Sequence, residues 1–363
     1  MRKKIWLFTM LIFIITLYLS AETNKTEYSL IRIGTINPHL SYLGKLYMNK
    51  QDKYVTIKPY ELKIIEFDSK GHILKEVGGK GKGPGEFQSI NGFSQCDDNF
   101  YASDYVNWRL SIFDDTFRFI DSFILKHNYE YEIVKIDSTL YLFGSNYKDP
   151  WHQTNEYYLA DVFTTNANGK YDYQKSIIKV WDFPKFLSKD FAGIPKYAVL
   201  KKDHILYIIY TYLPDIILYN TDDESFSTIP IDFPTYIDPL TVNFKKYYKT
   251  AEKKWGLKYF PDFIFSFYPE YFWYDTYNER FIVQFGRPYQ TIWDSSLENR
   301  YIIIIFDKDF NYIGDILTDK LLLLCRIEEK KTKLFMTDIP NYYDPNYTEL
   351  EEYFIEEYEL REN

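Results

Sequence analysis

Short apolar runs separated by turn residues recur along most of the chain. The stretch 92–125 holds four such runs, and clusters of aspartate, asparagine and threonine separate them. Runs of this length between polar turns are typical of β-strands. Four short antiparallel strands in about forty residues are the size of one propeller blade. The stretch is therefore predicted to form one four-stranded antiparallel sheet.

The end of the third strand carries a signal that recurs through the chain. An aromatic residue stands there, and in most copies an aspartate or asparagine follows it. The aromatic positions are Phe67, Phe113, Phe163, Tyr219 and Phe306, separated by 46, 50, 56 and 87 residues. We interpret Asp68, Asp114 and Asp307 as turn residues and not as metal ligands, because an aspartate side chain bonds its own backbone two residues further on.

A glycine-rich crossing, Gly-Lys-Gly-Pro-Gly-Glu-Phe at 81–87, precedes the clearest repeat. Glycine and proline at this density suit tight turns. A Walker-type phosphate loop ends in Gly-Lys-Ser/Thr and opens a helix, whereas strand-like residues follow here. The pattern therefore argues against nucleotide binding.

The crossing is followed by the motif Asp104-x-x-Asn107-x-Arg109, then by Leu110 and by Phe113 with Asp114. Together these residues resemble the repeat of the NHL-type six-bladed β-propellers, closely in the second repeat and diffusely in the others. The resemblance implies an all-β fold, a six-bladed β-propeller of four-stranded antiparallel blades. We expect blades at about 34–78, 88–125, 130–180, 196–232, 260–317 and 320–360, with the last one closed by an N-terminal strand at 28–33.

The long spacing before Phe306 predicts a helical insertion between blades four and five. Asp238 and Pro239 supply a cap and a first helical residue, and Gly256 follows the last apolar position. Between them, Phe244, Tyr248, Ala251 and Trp255 recur at helical spacing. The segment 239–255 is therefore predicted to form an amphipathic helix whose lysines face solvent, and a shorter helix is expected at 181–192.

The N-terminus has the three regions of a secretory signal peptide. Residues 1–4 are basic, 5–19 are almost wholly apolar, and the small residues Ser20 and Ala21 offer a cleavage site. A retained membrane anchor is the alternative, but the apolar run is shorter than the roughly twenty residues that span a bilayer. We expect cleavage after residue 21, one propeller domain at 22–363, a periplasmic or secreted location, and no stable transmembrane span after cleavage.

The net charge excludes one class of partner. The net charge is −9, which argues against nucleic acid as a partner because a polyanion would be repelled.

The two predicted cysteine positions are far apart. Cys96 and Cys325 fall in blades two and six, which are not neighbours in a six-membered ring. Two buried thiols are therefore favoured over a disulfide, although the sequence leaves the bond open.

Propeller topology places the loops between strands two and three on the same face as the crossings between blades. Each of these loops combines aromatic residues with hydrogen-bonding or charged groups, which suits peptide or sugar recognition. The predicted rim residues are Tyr60, Tyr105, Trp108, Arg109, Trp151, His152, Tyr212, Asp215, Arg287, Tyr289, Trp293 and Tyr342. The alternative for each is that it only braces its loop, which we expect of Asn107 and Arg109.

The sequence thus predicts an exported, non-catalytic binding protein for a peptide, carbohydrate-like or protein ligand, without a cofactor. Catalytic motifs such as His-Glu-x-x-His or Gly-x-Ser-x-Gly are missing from the sequence. The alternative comes from the fold family, since related six-bladed propellers include calcium-dependent lactonases and esterases. The acidic residues that flank inner strands are Asp97, Glu132, Asp137, Asp203 and Glu270. A scaffold role in an assembly is a third hypothesis.

Overall fold

The computed structural model describes residues 26–40, 44–125, 132–144, 158–179, 197–210, 215–231, 268–286, 300–338 and 353–363. Within these ranges the chain forms twenty-four strands, arranged in six separate four-stranded antiparallel sheets. The predicted all-β, six-bladed fold is confirmed. The described residues contain no helix, and the helices predicted at 181–192 and 239–255 lie outside them.

The strands follow one another along the chain from the first blade to the last. The first strand of the described part is β1 (Tyr28–Leu40). Blade one is β2 (Tyr47–Met48), β3 (Tyr54–Lys58), β4 (Lys63–Phe67) and β5 (Ile73–Gly78). Blade two is β6 (Gly92–Cys96), β7 (Asn99–Asp104), β8 (Arg109–Phe113) and β9 (Phe119–Ile124). Blade three is β10 (Glu132–Ile136), β11 (Thr139–Phe143), β12 (Tyr158–Thr165) and β13 (Tyr171–Lys179).

The second half of the ring repeats this arrangement. Blade four is β14 (Tyr197–Lys202), β15 (Ile205–Tyr210), β16 (Asp215–Asn220) and β17 (Phe226–Pro230). Blade five is β18 (Tyr268–Asp275), β19 (Arg280–Gly286), β20 (Tyr301–Asp307) and β21 (Tyr312–Thr318). Blade six is β22 (Lys320–Glu328), β23 (Lys331–Asp338), β24 (Tyr353–Glu362) and, as its outer strand, β1.

Strand β1 closes the ring by joining the two ends of the chain. It pairs antiparallel with β24, from Tyr28 opposite Glu362 to Leu40 opposite Tyr353. Thr26, two residues before the strand, also reaches blade five, since it donates its backbone N–H to Ile313 O over 3.0 Å. The N-terminal strand therefore completes blade six and contacts blade five at the same time.

The apolar core lies between blades and not within them. Six buried clusters are found, and each combines residues of two successive blades around the ring. The aromatic residues that end the third strands are all buried in these clusters. Because a blade is a single sheet with two apolar faces, it can bury them only against a neighbour on each side.

The turn that follows each of these aromatic residues has a common geometry. Asp68 Oδ1 accepts the backbone N–H of Lys70 over 2.8 Å and that of His72 over 3.0 Å. Asp114 and Asp307 bond the residues two and four positions further on in the same way, over 2.9 to 3.0 Å. The interpretation of these aspartates as turn residues is confirmed, since their carboxylates are occupied by their own loops.

Both cysteines are free and buried, one in blade two and the other in blade six. Cys96 donates its Sγ–H to Ile133 O over 3.2 Å. Burial raises the pKa of the Cys96 thiol to about 12. Both side chains therefore behave as small apolar residues, as the sequence favoured.

Gly314 provides the space in which the N-terminal segment docks on blade five. A Cβ at this position would lie 2.5 Å from Tyr28 Cδ2 and 2.7 Å from Thr26 O. We expect Gly314→Ala to destabilise the protein by about 1 to 3 kcal/mol, as overpacking usually does, and to expose 26–40 to protease. Thermal melting and limited proteolysis measure both effects. The control is Ser227→Ala, an exposed position on the outer strand of blade four. Equal melting of the two variants would contradict the docking.

Ion pairs across blade six make its stability depend on pH. Glu356 bonds Arg32 of β1 and Lys320 of β22, each over 3.0 Å. Burial acts to raise the pKa of Glu356, but hydrogen bonds from Tyr358 and Lys320 outweigh burial and lower it. The carboxylate therefore stabilises the fold above the unfolded pKa of about 4.3, and this stabilisation is lost as pH falls through the folded pKa.

We expect Glu356→Gln to lower the melting temperature at neutral pH by a few degrees and to weaken the decline in stability below about pH 4.3. Melting curves measured from neutral to acid pH test this expectation. Glu279→Gln is the control, because Glu279 forms only an exposed pair with Lys308 over 3.8 Å. Parallel acid profiles for Glu356→Gln and the unmodified protein would rule the interpretation out.

Candidate functional site

The loops between strands two and three meet the crossings between blades on one face of the ring. In blade two, Asp104 ends β7 and is fully buried. Its carboxylate accepts the backbone N–H groups of Gln88 over 2.8 Å and Ser89 over 3.2 Å, both in the crossing from blade one. We call this side of the molecule the loop-rich face.

Two further residues of the same loop hold the glycine-rich crossing in place. Arg109 donates to Lys82 O over 3.0 Å and to Gly83 O over 3.1 Å, and it also bonds Glu86 O. Asn107 Nδ2 donates to Gly81 O over 3.3 Å. The bracing role expected of Asn107 and Arg109 is confirmed. Most of the Arg109 donors are occupied by the crossing.

The remaining residues of this loop point outward and are apolar. Tyr105 is 38% exposed, while Val106 and Trp108 are each 46% exposed. Trp108 has a φ of 51°, a left-handed conformation that is uncommon for a bulky residue. The turn thus directs its polar side chains inward and its apolar side chains into solvent. Val106 belongs to this surface as well, although it was not among the predicted rim residues.

The corresponding loop of blade one presents a third aromatic residue. Tyr60 is 84% exposed. Ion pairs surround it, since Lys58 Nζ lies 3.3 Å from Glu61 Oε1 and 3.2 Å from Glu76 Oε1. Blades one and two are neighbours, so their loops form one sector of the loop-rich face. We call Tyr60, Tyr105, Val106 and Trp108 the aromatic rim.

The other predicted rim residues have different positions. Asp215 is the first residue of β16 and is buried. The remaining seven lie outside the described residues: Trp151, His152, Tyr212, Arg287, Tyr289, Trp293 and Tyr342.

The acidic residues considered as metal ligands do not come together. Asp97, Asp137 and Asp203 lie in the hairpin turns between strands one and two, with φ values of 50° to 55°. These turns are on the face opposite the loop-rich one. Across the described part of the chain, no group of three or more His, Cys, Asp or Glu side chains is placed to hold a metal ion.

The centre of the ring is formed by the first strand of each blade. The inner edge of such a strand has no fifth strand to pair with, so its backbone groups need other partners. Side chains of neighbouring blades supply several of them. Tyr47 donates its hydroxyl to Phe93 O over 2.8 Å, and Cys325 N donates to the Tyr271 hydroxyl over 2.9 Å. Gln284 bonds Leu322 N and Lys320 O of blade six, over 2.7 and 2.8 Å.

A polar cluster stands in the same central channel. Lys45 precedes the first strand of blade one and forms an ion pair with Glu132, the first residue of blade three. Blade two lies between blades one and three in the ring. A contact between the first strands of blades one and three must therefore be made in the central channel. Tyr47 of blade one and Tyr271 of blade five both interact electrostatically with Glu132. We call Lys45, Tyr47, Glu132 and Tyr271 the channel cluster.

The two phenols of this cluster are kept neutral. Burial, and then the negative charge of Glu132, raise the pKa of Tyr47 well above its usual value. Burial is also the main cause that raises the pKa of Tyr271, with smaller effects from Cys325, Tyr47 and Glu132. Both hydroxyls therefore act as hydrogen-bonding groups at physiological pH.

The fold is shared with solved structures of low sequence identity. One is a member of the DUF4221 family from Bacteroides vulgatus, with a TM-score of 0.61 and 12% identity over 93% of this chain and 100% of that one. Another is a candidate exported protein from Bacteroides fragilis, with a TM-score of 0.53 and 15% identity over 93% of this chain and 95% of that one. At this identity the likeness establishes the fold alone.

Sequence comparison adds no family assignment. No family model matches the chain, and no curated protein is similar to it in sequence. Among the described residues, none belongs to a helix of the length and hydropathy that crossing a bilayer requires.

The Arg109 brace can be tested by removing its charge. We expect Arg109→Met to cost about 1.5 to 3 kcal/mol of stability, because hydrogen bonds from a charged donor to three carbonyl groups are lost, and to make 81–87 sensitive to protease. Chemical denaturation and limited proteolysis are the measurements. Arg118→Met is the matched control, since Arg118 pairs with Asp114 at the surface, where an ion pair is worth about 0 to 1 kcal/mol. Equal losses in the two variants would argue against the brace.

Proposed function

We propose that this protein is an exported, non-catalytic binding protein that recognises a peptide or carbohydrate-like ligand on its loop-rich face. The observation that carries this proposal is the inverted polarity of the blade-two loop. Its polar residues Asp104, Asn107 and Arg109 are turned toward the crossing, while Tyr105, Val106 and Trp108 are turned to solvent. A loop that served only as a connection would gain nothing from exposing three apolar side chains on a rigid support.

The rigidity of the loop favours binding. Its backbone is held by hydrogen bonds to the crossing, so the aromatic side chains lose little conformational freedom when a ligand arrives. Tyrosine and tryptophan supply flat apolar surfaces with a polar tip and are frequent at recognition surfaces. Trp108 keeps its exposed position despite an unfavourable backbone conformation, which is a common feature of functional sites.

Within this proposal a peptide suits the described rim better than a sugar does. Val106 stands between the two aromatic residues of its loop and offers an aliphatic surface, which matches apolar peptide side chains. The charged groups beside Tyr60, namely Lys58, Glu61, Lys63 and Glu76, could bond polar groups of an extended chain. A sugar could also bond these charged groups through its hydroxyls, but it would leave the aliphatic surface of Val106 unused.

The proposed location and family rest on separate observations. An apolar leader at 1–21 is predicted from the sequence, and a structural neighbour is described as a candidate exported protein. Membership of the NHL-repeat propellers is supported by the Asp104-x-x-Asn107-x-Arg109 motif and by its contacts with the crossing. The alternative of a calcium-dependent hydrolase lacks support among the described acidic residues, because no three of them converge.

Binding can be tested by screening peptide and glycan arrays with the protein labelled through a C-terminal tag, which leaves the lysines beside Tyr60 unmodified. We expect Trp108→Asn and Tyr60→Ser to weaken binding of an array ligand by at least about tenfold, with melting temperatures unchanged. Asparagine is chosen at position 108 because it tolerates the left-handed conformation. Phe226→Ser is the control, since Phe226 is an exposed aromatic residue on the outer strand of blade four. Binding that survives both rim substitutions, or is lost with Phe226→Ser, would refute the proposal.

A further inference from the structure

The channel cluster contains a charged pair that the aromatic rim does not use. Lys45 and Glu132 come from strands that begin at the loop-rich face, so the pair lies at that end of the channel. The Lys45 side chain is 34% exposed and that of Glu132 is 13% exposed. The pair is therefore partly shielded from water but still accessible, which increases the strength of charge interactions at this place.

The cluster has unused hydrogen-bonding capacity. Lys45 can donate three hydrogen bonds and Glu132 can accept several, but each bonds only the other within the described part of the chain. The Tyr271 hydroxyl beside them accepts a hydrogen bond from Cys325 N and also bonds the Cys325 thiol. Among the described residues, one cation and one anion thus stand together with hydrogen-bonding capacity that no protein partner takes up.

We propose that the channel cluster binds a small zwitterion with adjacent ammonium and carboxylate groups, of which a free α-amino acid is the simplest example. The ligand carboxylate would accept from Lys45 Nζ. The ligand ammonium would donate to the Glu132 carboxylate.

Charge balance is the reason to prefer a zwitterion to a singly charged ligand. An anion alone would compete with Glu132 for Lys45, and a cation alone would compete with Lys45 for Glu132. Either would leave one partly buried charge without a partner, which is costly. A zwitterion bonds both partners and leaves no charge uncompensated.

The spacing of the charges narrows the ligand class further. Lys45 and Glu132 are in direct contact, so their charged groups are close together. In an α-amino acid a single carbon separates the ammonium from the carboxylate, so both can reach a contact pair at once. In a longer peptide the two termini are far apart, and only one of them could enter the site.

This site is independent of the proposed rim function. The rim residues lie on loops between strands two and three, whereas the cluster residues belong to the first strands or immediately precede them. A rim variant such as Trp108→Asn should therefore bind the amino acid as the unmodified protein does. Loss of either activity alone can then be assigned to its own site.

The test begins with the unmodified protein and the common free L-α-amino acids as probes. Thermal melting with each amino acid identifies the best ligand, since binding to the native state raises the melting temperature. Calorimetric titration then compares that amino acid with its amide and its N-acetyl derivative, which each lack one charge. We expect both derivatives to bind at least about tenfold more weakly than the free amino acid.

Two substitutions and a matched control locate the site. Lys45→Met and Glu132→Gln should each weaken binding of the amino acid by at least about tenfold. Lys135→Met is the control, because Lys135 forms another pair between blades, with Asp97 over 2.7 Å, on the face opposite the loop-rich one. The control should bind as the unmodified protein does.

Three results would overturn the proposal. One is that no free amino acid raises the melting temperature. Another is that the amide or the N-acetyl derivative binds as tightly as the free amino acid. The last is that Lys135→Met weakens binding as much as Lys45→Met does. The comparison of ligand derivatives needs no substitution, so it remains decisive even if a cluster variant fails to fold.

Discussion

Closure of the ring is the constraint on which the rest of this structure depends. Each blade is a single sheet with two apolar faces, and every core cluster lies between two successive blades. A blade without a neighbour would expose one of these faces to water. Pairing of β1 with β24 provides the last neighbour, because it completes blade six from both ends of the chain. The ion pairs of Glu356 and the docking of Tyr28 against Gly314 stabilise that closure.

The same geometry explains why polar groups collect at the centre. Radial packing buries the faces of the blades but leaves the inner edge of each first strand without a pairing strand. Tyr47, Tyr271 and Gln284 satisfy backbone groups on these edges, so hydroxyl and amide groups are carried into the channel. Once such groups are present, a charged pair such as Lys45 with Glu132 is less costly than it would be in an apolar core. The hydrogen bonds that satisfy the inner strand edges thus also create a polar site in the channel.

One turn motif serves two different purposes in this protein. In blade two, Asp104-x-x-Asn107-x-Arg109 connects strands two and three, and Arg109 holds a crossing through its carbonyl groups. In blade five, Asp275-x-x-Asn278-x-Arg280 connects strands one and two, on the opposite face. The local geometry is alike, since the asparagine side chain bonds the aspartate in both, over 2.6 and 2.8 Å. Arg280, however, bonds Thr332 of blade six over 2.9 Å. The motif determines the shape of the turn, while its place in the blade determines what the arginine contacts.

The sequence by itself determined the features that depend on neighbouring residues. Alternating apolar runs, the aromatic residue near the end of the third strand, and the aspartate that follows it predicted the blade and its turn, because strand and turn formation are local. The number of blades was predicted from the resemblance to a known family. The bracing by Asn107 and Arg109 was also predicted, although its hydrogen bonds reach residues 26 and 27 positions away. Only the tertiary structure decided which side chains meet in the channel. Lys45 and Glu132 are separated by a whole blade, and no local pattern marks them as partners. Asp97, Asp137 and Asp203 looked equally suited to the axis, but their hairpin turns hold them on the opposite face. Contacts between distant strands arise from the closure of the ring, which no short stretch of sequence contains.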